Sequence, residues 1–165
     1  MQRTEHTRKI RWATFATVGV ALALGLAWLR WHGMPLVAAR ALADADQYEV
    51  LSLRPYPWKP DFYNHEILGR MTVTDTTIRQ RLNAALQSGV RESDGTRMAC
   101  FNPRHGIRVT RAGETTDFVI CFECRQVQVW RGGKKITFFL TSASPQPVFD
   151  EVLQKANVPL APKEP

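Results

Sequence analysis

Apolar residues run unbroken from Trp12 to Leu29 (WATFATVGVALALGLAWL), the longest such stretch in the chain. About eighteen residues without a charge can cross a slightly thin bilayer as a helix. Trp12, Trp28 and Trp31, with Arg11 and Arg30, supply interfacial anchors at both ends. The pattern predicts a cytoplasmic tail over 1–11, a transmembrane anchor over 12–31, a linker over 32–46, an exported α+β domain over 47–158 and a flexible tail over 159–165.

Past the linker, which is compatible with helix through its alanines, the period shortens to that of strands. Tyr48–Leu53 and Ile67–Val73 read as a first pair. Asp75 or Thr77 then caps a helix whose Ile78, Leu82, Ala85 and Leu86 share one face, with Arg79, Arg81 and Asn83 outward and Ser88-Gly89 ending it. A meander follows, drawn from Met98–Phe101, Gly106–Arg111, Thr115–Phe122, Gln126–Trp130 and Lys135–Leu140, with hairpin glycines at Gly113 and Gly132-Gly133. Ser144 as cap and Pro145 at the first helical position open a last helix, whose Val148, Phe149, Val152, Leu153 and Ala156 form an apolar face. The order β-β-α-β-β-β-β-α implies a small antiparallel sheet with two helices packed on one face. Between the first two strands, PYPWKPDFYNH (55–65) sets prolines among Tyr56, Trp58, Phe62 and Tyr63. Such a segment is an ordered loop, serving either as a lid over the core or as an aromatic binding surface.

Charge then sets orientation. Of the formal +7, the first 31 residues carry +4, from Arg3, Arg8, Lys9, Arg11 and Arg30 against Glu5. Basic residues crowded beside an apolar run act as topology signals, so the N-terminus is expected in the cytoplasm and the domain outside, with the lipid bilayer as partner through residues 12–31. Nucleic acid is not an expected partner, because the excess lies mostly off the domain. The competing reading is a cleavable signal peptide, with small-residue sites at Val37-Ala38-Ala39 and Ala41-Leu42-Ala43 and a secreted product.

Candidate chemistry gathers in 25 residues. Cys100, His105, Cys121 and Cys124 form a C-x4-H and a C-x2-C one hairpin apart, a set that would suit tetrahedral zinc. Residues three apart on an unbroken strand face opposite ways, so a bulge or strand end near Cys124 would be needed. An exported domain instead favours a disulfide, with Cys100 paired to Cys121 or Cys124. A thiol redox centre and buried unpaired cysteines stay open beside it. Asn102, Arg104 and His105 form a turn-like string before Gly106 that could grip a small anion or an envelope protein; equally, it could be a plain turn. His65, beside Glu66, is a second acid-base candidate.

The strings CFNPRHGIR (100–108) and DFVICFEC (117–124) resemble paired motifs of small, uncharacterised bacterial envelope proteins, often lipoproteins or anchored proteins. The resemblance spans roughly residues 45 to 158. It implies a bacterial source and an exported location, and no activity. The lipoprotein cysteine is missing near the N-terminus. No G-x-S-x-G, phosphate loop or dinucleotide fingerprint occurs. The expected function is therefore a non-enzymatic binding or structural module of the envelope without a cofactor, the alternative being a zinc- or thiol-dependent domain.

Overall fold

The computed structural model describes residues 33–56, 59 and 61–162, so the predicted anchor over 12–31 lies outside the described residues. Nine elements follow one another: α1 (Leu36–Ala43), β1 (Gln47–Arg54), β2 (Glu66–Thr72), α2 (Thr76–Arg91), β3 (His105–Arg111), β4 (Glu114–Cys121), β5 (Gln126–Arg131), β6 (Lys134–Leu140) and α3 (Gln146–Lys155). The strands form one sheet in the order β2-β1-β3-β4-β5-β6, and every neighbouring pair is antiparallel.

This corrects the expected fold, a membrane helix followed by a sheet with two helices. Among the described residues three helices accompany six strands, and none is long and apolar enough to cross a membrane. The added helix is α1, in the stretch read as a linker. It forms because Ala38, Ala41 and Leu42 fall on one face and are buried there. Its seat is polar as well as apolar. The buried Tyr48 hydroxyl donates to Asn83 Oδ1 at 2.9 Å, and Asn83 Nδ2 donates to the Leu42 carbonyl at 3.3 Å. Asn83, read as outward, thus turns in to link α1, α2 and β1.

Period-two alternation gives the sheet two different faces. Tyr48, Val50, Ile107, Val109, Phe118, Ile120, Val127, Val129 and Phe139 point to one side and share a single core with Leu82, Leu86, Val90, Phe149, Val152 and Leu153 of α2 and α3 and with the buried face of α1. Leu51, Leu53 and Val119 point the other way, under Phe62 of the loop after β1. No helix among the described elements belongs to that second cluster.

Two glycines decide how closely layers approach. Gly106 is an interior residue of β3, paired with Leu51 and Val119, rather than the close of a turn. A Cβ there would lie 3.0 Å from Phe62 and 3.1 Å from Leu51, so the missing side chain is what lets the loop settle on the sheet. Gly89 lies inside α2, which runs on to Arg91. A Cβ at Gly89 would run into Thr141 Oγ1 and meet the Pro145 ring at 2.5 Å, and the Gly89 carbonyl accepts from the Ser142 N–H at 2.7 Å.

The segment Met98–Phe101 forms no strand. Its backbone is spent on the β4–β5 turn, with the Met98 N–H donating to the Cys124 carbonyl at 3.3 Å, and Pro103 cannot donate to a ladder.

Gly89→Ala should lower the stability of the full chain by about 1–3 kcal/mol, the range for overpacking a tight contact. Urea unfolding followed by circular dichroism measures this; an unchanged midpoint would show that α2 does not need the close approach.

Candidate functional site

The face opposite the helices is where side chains with chemical potential collect. The loop enters through a tight two-residue turn: the Phe62 N–H donates to the His65 carbonyl at 2.9 Å and the His65 N–H to the Phe62 carbonyl at 3.1 Å. Both central residues have left-handed backbone, Tyr63 at φ 52° and Asn64 at φ 71°, the signature of a type I′ turn. Asparagine tolerates that conformation and tyrosine resists it, so something must hold Tyr63 there.

Two contacts do. The Tyr63 ring stacks on Trp130 with centroids 4.4 Å apart and planes 26° apart. Its hydroxyl donates to Asp117 Oδ2 at 2.8 Å. Asp117 is buried and also accepts Arg108 Nε at 2.8 Å on Oδ1 and Arg108 Nη2 at 3.0 Å on Oδ2. The pairing is bidentate, the strong form of a guanidinium–carboxylate contact. The same guanidinium lies 5.2 Å from the centre of the Phe62 ring. Burial, reinforced by Asp117, pushes the Tyr63 phenol well above the ordinary tyrosine range, so it stays a donor across physiological pH. Register supplies the alignment, since Arg108 opposes Asp117 and Asp117 opposes Trp130.

This clamp makes one wall of a pocket of about 380 Å³, lined by Tyr63, Asn64, His65, Phe101, Val119, Gln128 and Trp130. Two of these residues carry buried polar atoms without a partner, Trp130 Nε1 and His65 Nδ1. Buried donors and acceptors are ordinarily satisfied, so two on the residues that line one pocket are unusual. Among the described residues no Asp, Glu, Lys or Arg lines it.

The residues singled out in the sequence fall in two places. Arg104 and His105 border a crevice of only about 50 Å³ near α3, where Glu123 and Asp150 also stand. Arg104 is 9% exposed, forms an ion pair with Glu123 at 3.3 Å and donates to the Pro162 carbonyl. His105 is 3% exposed, packs on Phe122 and Phe149 and bonds Asp150 Oδ1 through Nε2 at 2.7 Å. Where an anion grip was expected, Arg104 thus faces the exposed Glu123 carboxylate and His105 the Asp150 carboxylate, around a crevice with room for little more than a water. Asn102 lies elsewhere, its N–H donating to Cys124 Sγ at 3.2 Å.

The cysteines do come together. C-x2-C sits where β4 ends, in the turn Phe122–Arg125, with Arg125 at φ 55°. Cys121 and Cys124 are joined by a disulfide, and Cys100 is a free, exposed cysteine whose Sγ lies 3.7 Å from Cys124 Sγ. The expected partner for the bond was Cys100; the bond instead joins the two cysteines that the turn holds together. As a zinc set the four residues do not fit: His105 is occupied by Asp150, and the disulfide leaves one free thiol. Among the described residues no group of three or more His, Cys, Asp or Glu is arranged to hold a metal.

Tyr63 was read within the aromatic loop, whereas Gln128 and Trp130 escaped the sequence reading as site residues. The available signal was phase: in QVQVW the two valines take the core side, leaving Gln128 and Trp130 together on the other. Trp58 of the same loop lies outside the described residues.

Among comparisons with known proteins, no family model matches the chain, and no curated protein matches it. One solved structure, "Crystal Structure of Putative Lipoprotein from Clostridium perfringens", is similar with 12% identity and a TM-score of 0.42, over 72% of this chain and 91% of that one. So distant a likeness assigns nothing to the site.

His65 gives a pH test of this face. Burial holds its imidazole below the ordinary histidine range, with the Pro55 carbonyl acting more weakly the other way. In the window just below about pH 6.5 the unfolded chain then binds the proton more readily than the folded one, so stability falls as pH drops through it and is complete above it. His65→Gln should flatten the loss of urea midpoint between about pH 7.5 and about pH 5; an identical loss in both proteins would remove His65 as its source.

Proposed function

We propose that this chain is an exported binding module of the bacterial envelope, and that it takes its ligand in the aromatic pocket on the face of the sheet opposite the helices. The reading of location rests on the basic tail followed by the apolar run at 12–29, which supplies an export address, and on the Cys121–Cys124 disulfide, which is at home in an oxidising compartment.

The reading of the site rests on one observation. A pocket walled by Tyr63, Phe101 and Trp130 carries two unpartnered buried polar atoms on its lining residues and, among the described residues, none of the four charged types. Apolar walls with a few neutral polar groups favour a neutral ligand with one apolar face and hydrogen-bonding edges. A sugar ring or a small amide-bearing aromatic has that form, and an anion or cation does not. Trp130 offers a ring edge and an indole donor, Gln128 an amide that can both donate and accept, and His65 an imidazole nitrogen.

The test is titration of the full chain in detergent with two probes, an N-acetylglucosamine oligosaccharide and N-acetyltryptophanamide, read by calorimetry. At least one should bind, and Trp130→Ala should weaken it at least about tenfold, the loss expected for an aromatic contact with a hydrogen bond, while the thermal transition is retained. Failure of both probes to bind, or binding indifferent to the substitution, would overturn the assignment.

A further inference from the structure

The three sulfurs form an arrangement that a binding role leaves unused. Cys124 Sγ stands between two others, bonded to Cys121 and 3.7 Å from Cys100. Cys100 is exposed and reachable by solvent base, whereas Cys121 is 1% and Cys124 0% exposed. Two backbone donors are aimed at the pair: the Asn102 N–H at Cys124 Sγ, 3.2 Å, and the Cys124 N–H at Cys121 Sγ, 3.0 Å.

We propose that this cluster is a thiol–disulfide exchange site in which Cys100 attacks the Cys121–Cys124 bond. Cys100 loses its proton to solvent, and the thiolate attacks Cys124 Sγ. A Cys100–Cys124 bond forms as the Cys121–Cys124 bond breaks, and the electron pair leaves on Cys121 Sγ, which is then reprotonated. One disulfide and one thiol stand on each side, so no outside oxidant or reductant enters. The Cys124 N–H already points at the sulfur that acquires charge, and a donor so placed is strengthened when its acceptor ionises.

The exchange changes what the cross-link restrains. In the Cys121–Cys124 form it closes a turn three residues apart. In the Cys100–Cys124 form it ties the irregular segment 92–104 to the β4–β5 turn. That segment carries Phe101, a wall of the pocket, so the swap staples the wall in place and moves the free thiol from an exposed position to a buried one on β4. A cross-link closing the longer loop restrains the unfolded chain more.

The test uses the full chain and its single Cys→Ser variants in a glutathione redox buffer, quenched with acid, alkylated and mapped by peptide mass spectrometry. In the wild type, alkyl label should be found on Cys100 in one population and on Cys121 in another. Cys121→Ser, with the same circular dichroism as wild type, should close the Cys100–Cys124 bond and titrate no thiol, whereas Cys124→Ser, lacking the central sulfur, should titrate two. Label confined to Cys100 in the wild type at every pH from about 6 to about 9, a range spanning ordinary thiol ionisation, overturns the proposal, as do two free thiols in folded Cys121→Ser. Trp130→Ala should leave the exchange pattern unchanged, so failure of the pocket assignment and failure of this one are told apart.

Discussion

A single buried carboxylate organises the face of this domain where a site can exist. Asp117 accepts two hydrogen bonds from Arg108 and one from Tyr63. Such a group is costly to bury alone and stable only with its partners in place. The arrangement has a direction. Arg108 reaches Asp117 from the next strand, whereas Tyr63 must come from a turn that forces its backbone into the left-handed region. The carboxylate and the Trp130 ring together hold the turn there, and from that placement follow the wall of the pocket, the position of Phe62 over Gly106 and the closure of the second core.

The two faces of the sheet are built on different rules. Under the helices, apolar volume is shared by three amphipathic helices and nine inward strand residues, with the His105–Asp150 hydrogen bond at its margin. On the other face the cover is a loop, which buries less and must be pinned by specific bonds. A surface held by a few strong contacts rather than by broad packing has the lower local stability that binding sites commonly exploit. The sulfur cluster stands beside it, with Cys121 two residues beyond Val119, the pocket's floor, on the same side of β4.

The places of α2, α3 and the six strands along the chain were legible in the sequence, because period-two and period-3.6 patterns are local properties, whereas α1 and the order of strands in the sheet were not. Asp75 caps α2 through the N–H groups of Thr77 and Ile78, as its type and position foretold. What was not legible depends on what lies across space. Met98–Phe101 has the composition of a strand, yet its Met98 N–H goes to the Cys124 carbonyl instead of a ladder. Gly106 reads as the start of a strand, and its role in letting Phe62 approach the sheet depends on a residue of another segment. Arg104 and His105 read as a free anion grip because Glu123 and Asp150, which face them, are 19 and 45 residues away in sequence. The same blindness hid Trp130, an ordinary residue in its own segment, which becomes the stacking partner of the loop's Tyr63 only when β5 and the loop meet.

Hydrogen–deuterium exchange on Asp117→Ala, compared with the wild-type full chain, tests the central claim that this carboxylate seats the loop. The account predicts faster exchange over residues 61–65 and in the Tyr63–Asn64 turn, with β3, β4 and the helices still protected. Unchanged protection of the turn in a variant that keeps its folded strands would contradict it.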